Sequence, residues 1–123
     1  SYKLTTLYKI AHGHAVALCV KNLWAYMLEH LDDCTDKRGM KYLKATFEKL
    51  GQLFGGKCPA DGAKIFSELV DSLKLEVPTA NYDELSILKT SVNEERLKNN
   101  PVSLNQIAIE KLYRQIVRLE DTQ

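Results

Sequence analysis

The chain has 123 residues, 45% of them hydrophobic, with 17 Lys and Arg against 16 Asp and Glu for a formal charge of +1. That length makes one domain with a real core, too small to hold both a dinucleotide-binding domain and a substrate domain. The near-neutral balance argues against a strongly basic nucleic-acid binder and an acidic disordered tail, and 6 Gly and 3 Pro exclude collagen-like and low-complexity chains.

Residues 1–10, SYKLTTLYKI, carry no signal-peptide order of basic, apolar and small residues and do not begin with Met. They read as the middle of a longer protein, with Lys3–Tyr8 the single weak candidate for a strand. Next, Val16, Val20, Leu23, Trp24, Met27, Leu28 and Leu31 recur at three and four, one wide stripe on a helix over about 13–31. Lys21, Asn22 and Glu29 interrupt it. No run approaches the ~20 apolar residues of a membrane span. Asp32, Asp33 and Thr35 predict a turn. Met40, Leu43, Phe47, Leu50 and Phe54 predict a second helix over about 37–54, stopped by Gly55-Gly56. Pro59 suits the first turn of a third helix, striped by Ile65, Phe66, Leu69, Val70 and Leu73 and closed before Pro78. Tyr82, Leu85, Leu88 and Val92 predict a shorter fourth helix, with one or two further turns over 93–98. After Asn99-Asn100-Pro101, Ser103 and Gln106 form a capping-box pattern ahead of a last helix over about 104–119. The expected fold class is all-α, a bundle of five or six helices in one domain over 1–123.

The cysteines are Cys19, Cys34 and Cys58, an odd number with no CxxC pair. They read as reduced thiols of a cytoplasmic protein rather than a disulfide framework. Cys19 lies about one turn past His14 and reads as a small apolar filler. GxSxG, P-loop and GxGxxG motifs are absent.

The segment with chemical content is Ala11-His12-Gly13-His14-Ala15-Val16-Ala17-Leu18. Imidazole is the commonest metal ligand and a ready proton carrier. Glycine between the two histidines allows close approach to the backbone. A helix N-terminus adds free N–H groups and a positive dipole end. A helix start with two incidental histidines has the same sequence. The remaining histidine, His30, falls about five turns away along the same helix. A tight metal site needs three or four converging ligands, so local sequence supplies at most two.

The string Ser1-Tyr2-Lys3-Leu4-Thr5 followed by Ile10 to Leu18 resembles the metal-binding helical domain of the iron-containing (group III) alcohol dehydrogenases. The order Leu53 to Gly56, Pro59, Asn100 to Leu104 and Leu112-Tyr113 runs in parallel with that family, so the resemblance covers essentially the whole chain. Within the family it is most similar to the branch that reduces phosphonoacetaldehyde. The resemblance implies a dehydroquinate synthase-like helical domain, placed C-terminal to an α/β domain that binds NAD(P) and lies outside this sequence. It implies a divalent metal, Fe²⁺ or Zn²⁺, held by one Asp and three His, of which His12 is the last. It places His14 beside the site, to orient substrate or relay a proton, and Tyr2 at a position near the cofactor. The implied reaction is hydride transfer between a nicotinamide and a small alcohol or aldehyde. Ala11 and Lys21 stand where the family commonly has Pro. Under this reading the chain alone is inactive and pairs as a homodimer through apolar side chains of residues 1–18. A non-catalytic helical interaction module, or a degenerate remnant of such an enzyme, is the alternative.

Overall fold

The structure is a computed structural model that describes residues 1–120. Seven α-helices occur among the described residues: α1 (Tyr2–Tyr8), α2 (His12–Glu29), α3 (Gly39–Leu53), α4 (Pro59–Ser72), α5 (Tyr82–Thr90), α6 (Glu94–Leu97) and α7 (Gln106–Ile116). A 3₁₀ turn, Leu31–Asp33, follows α2, and two short strands, β1 (Thr79–Ala80) and β2 (Arg118–Leu119), flank α5 and α7. The all-α class holds. Residues 121–123 of the expected domain lie outside the described residues.

The longest helix organises the rest. One end of the α2 stripe, Ala15 and Leu18, packs with Leu4, Leu85, Leu88, Ile109, Leu112 and Ile116 from α1, α5 and α7. The other end carries Trp24 into a second cluster with Leu43, Phe47 and Ala63 from α3 and α4. An apolar stripe this wide can face two partners at once, and burying it removes the largest unfavourable hydration term of the helix. Lys21 leaves α2 unbroken from His12 to Glu29 and forms an ion pair with Asp71. No helix among the described residues is long and apolar enough to cross a membrane.

The α3–α4 hairpin is closed by glycine. Gly55 takes φ +85°, the left-handed conformation that ends α3. Gly51 and Gly62 are buried where the two helices cross, and a Cβ on Gly62 would lie 2.6 Å from the Gly51 Cα. Pro59 occupies the first turn of α4, where its missing N–H costs nothing.

Three expectations are corrected. Lys3–Tyr8 is helix, not strand: Leu4 and Leu7 fall on one face, and Leu4 is fully buried. The capping box is not at Ser103, whose N–H instead donates to the Asp33 carbonyl at 2.9 Å. Asn105 caps α7, accepting from the Ala108 N–H at 2.8 Å, and the full box sits at Asn81 and Glu84 on α5. Helix number exceeds five or six because α1 is short enough to escape periodicity, while the turns expected over 93–98 form α6. The apolar residues of 1–18 contribute to the core. Leu4 and Leu18 are buried, and Leu7, Tyr8 and Ile10 pack on the same core.

Candidate functional site

His12 is the first residue of α2, preceded by Ala11, which has no side chain able to cap. The N–H groups of the first turn therefore lack a side-chain partner, and the positive end of the helix dipole is exposed at this point. The imidazole of His12 is exposed and stacks on Tyr2, with ring centroids 5.7 Å apart and planes 27° from parallel. Neither ring nitrogen is hydrogen-bonded to a described residue. Gly13 has open space where a Cβ would be. The helix start is thus an accessible imidazole beside an unobstructed stretch of backbone.

His14 points elsewhere. Its Nε2 lies 2.7 Å from the Glu76 carbonyl oxygen in the loop after α4. A carbonyl only accepts, so Nε2 carries the proton and donates, which leaves Nδ1 as the acceptor of a neutral ring. This bond ties the start of α2 to the 74–78 loop and occupies one of the two nitrogens. Tyr2 is 63% exposed. Its ring is flanked by a second residue that sequence reading missed: the Arg96 guanidinium carbon lies 5.1 Å from the Tyr2 centroid, within cation–π range. Arg96 belongs to α6, remote in sequence from both Tyr2 and His12, and no local pattern marks it. Tyr2 thus contacts both the histidine and the arginine.

Other ionisable groups are less suited to chemistry. Burial pushes the Cys19 thiol up, away from thiolate, in keeping with a filler role. Burial likewise pushes Tyr113 up to about 12. Tyr8 is pushed up to about 12 by burial, with the Glu84 carboxylate adding to it. His30 donates from Nδ1 to the Tyr26 carbonyl at 2.8 Å and stacks on the Tyr26 ring at 3.9 Å, at the opposite end of α2 from His12. Among the described residues no three His, Cys, Asp or Glu side chains converge as a metal site would require. His12 could offer one ligand, and a four-ligand shell would need groups from outside this sequence.

The fold and the exposed His12 can be set beside known proteins. The chain is similar to a phosphonoacetaldehyde reductase. That protein, from Streptomyces viridochromogenes, is 28% identical over 126 residues, an alignment covering 99% of this chain and 31% of the reductase. The chain therefore spans about a third of the length of the curated relative it matches. No family model and no solved structure matches.

Proposed function

We propose that this chain is the helical metal and substrate domain of an iron-type, NAD(P)-dependent alcohol dehydrogenase that interconverts phosphonoacetaldehyde and its alcohol. The observation that carries the reading is the accessible, unpartnered His12 imidazole on the first turn of α2, in an HGHAVAL segment that resembles the family's last metal ligand. The similarity of nearly the whole chain to a phosphonoacetaldehyde reductase supports the substrate. The remaining ligands and the nucleotide-binding domain would lie outside this sequence.

In this reading His12 contributes one nitrogen to a divalent ion, Fe²⁺ or Zn²⁺, since imidazole suits both. Such an ion, when bound, polarises the carbonyl oxygen as a Lewis acid for hydride transfer. The chain's own residues do the rest of the local work. Tyr2 stacks against the His12 ring and limits its rotation. His14, through Glu76, holds the first turn of α2 against the 74–78 loop, so that His12 is presented from a fixed helix end rather than a frayed one.

The test is to read the genomic frame upstream of Ser1 and assay the full-length product for NAD(P)H-dependent reduction of phosphonoacetaldehyde. Activity that is lost in His12→Ala, with the fold retained, is the expected result. A product with no upstream nucleotide-binding segment and no reductase activity would favour the non-catalytic remnant.

A further inference from the structure

A cleft opens beside the Tyr2 ring, on the side of α6. It has a volume of about 430 Å³, near the lower end of the range for small-molecule pockets. Its lining holds two cationic side chains, Lys3 and Arg96, and no carboxylate. In a chain with 16 Asp and Glu, a cleft bearing only positive charge is a departure from the mixed surface around it. Ser91, Asn93, Asn99 and Asn100 add neutral hydrogen-bonding groups, and Leu23 and Leu104 lie on the apolar part of the wall.

The charge on Arg96 is not used within the fold. Among the described residues it forms no ion pair; its neighbour Glu95 is bonded to Lys98 at 3.1 Å instead. The guanidinium is held against the Tyr2 ring, which orients it without neutralising it. Asn93 accepts from the Arg96 backbone N–H at 3.1 Å and fixes the short helix that carries it. A planar guanidinium with free donors matches a tetrahedral phosphorus oxyanion, which it can contact through two parallel hydrogen bonds.

We propose that this cleft binds the phosphonate group of a short alkyl phosphonate, with Arg96 as the principal contact, Lys3 as the second charge, and the apolar wall against the carbon chain. This rests on the reductase reading and deepens it: Tyr2 touches both Arg96 and His12, so anion and imidazole are one aromatic ring apart. A nucleotide phosphate would offer the same oxyanion, but the small volume and the apolar wall favour the shorter molecule.

Amide and arginine side-chain NMR shifts of the 123-residue chain, titrated with 2-hydroxyethylphosphonate and separately with NADP⁺, test this without any enzyme assay. The expected result is saturable shifts at Lys3 and across 91–100 with the phosphonate, weakened about tenfold or more in Arg96→Gln and less in Arg96→Lys. Arg96 is exposed, so neither change should disturb folding, and the wild-type titration stands by itself. Absence of saturation below about 10 mM phosphonate would overturn the proposal. So would equal affinity in Arg96→Gln, or tighter binding of NADP⁺ at the same amides. Because binding is read directly, its failure would leave the reductase reading to the activity assay, and loss of reductase activity would leave the cleft result standing.

Discussion

Replacing Gly62 by Ala tests whether the α3–α4 crossing holds α2 in place. The new methyl would lie 2.6 Å from the Gly51 Cα and 3.1 Å from the Gly51 nitrogen, both main-chain atoms of a buried turn. It would also press at 3.3 Å on Cζ2 of Trp24, whose ring is already enclosed by Phe47, Phe54 and Phe66 at 5.5–6.5 Å between centroids. Overpacking of this kind costs roughly 1–3 kcal/mol, and rigid backbone on the far side places the change in the upper half of that range. The gain in helix propensity from Gly to Ala returns up to about 1 kcal/mol. The net loss is therefore about 1–2 kcal/mol, which for a domain of this size lowers Tm by about 4–8 °C. Thermal unfolding followed by circular dichroism measures it. Gly13→Ala is the internal control: no atom lies within 4 Å of its Cβ, so propensity alone acts and Tm should hold or rise. A Gly62→Ala protein as stable as wild type would refute the close crossing, and with it the account of how Trp24 anchors the helix bearing His12.

Further outcomes follow from individual contacts. Asn81→Ala and Asn105→Ala each remove a cap bond of 2.8 Å and should cost about 1 kcal/mol in urea unfolding, whereas Ser103→Ala, which caps nothing, should be close to neutral. Hydrogen bonds from the Arg38 side chain and backbone hold the Asp36 carboxyl down to about 2, below its ordinary 3.8. Because the folded value is depressed, the stabilisation is present above about pH 4 and is lost as pH falls towards 2; Arg38→Gln removes the guanidinium bonds but keeps the backbone one, so it should move the Asp36 titration, read by NMR, upward towards the ordinary carboxylate range. Calorimetry with Zn²⁺ and the 123-residue chain should show only weak binding, since His12 lacks a converging ligand set, and a sub-micromolar site abolished by His12→Ala would show that the ligand set has been misread. Burial of Tyr113 delays its ionisation to about 12, so Tyr113→Phe should remove one late-titrating phenol from the alkaline absorbance curve.

Periodicity alone determined the helical class, the extents of α2, α3 and α4 to within a few residues, and the stops at Gly55 and Pro59, because each depends on side chains close along the chain. The HGHAVAL string placed His12 at a helix start for the same reason. The first helix and the two-residue strands were beyond its reach. The seven residues of α1 present too few turns for a stripe to emerge, and their helical state is stabilised by burying Leu4 among residues of α5 and α7. The parallel pairing of Thr79 with Arg118 and Ala80 with Leu119 joins segments distant in sequence and has no local signature at all. The choice of Asn105 over Ser103 as a cap was decided by Asp33, whose carbonyl takes the Ser103 N–H and holds that residue outside the helix. The candidate site divides in the same way. His12, His14 and Tyr2 are adjacent enough in sequence to be singled out together, but the partners of each come from elsewhere: Glu76 for His14, and Arg96 for Tyr2. Only folding brings a loop against the start of α2 and a one-turn helix against the start of α1. Coupling between residues so far apart is a property of packing, which no single stretch of sequence encodes.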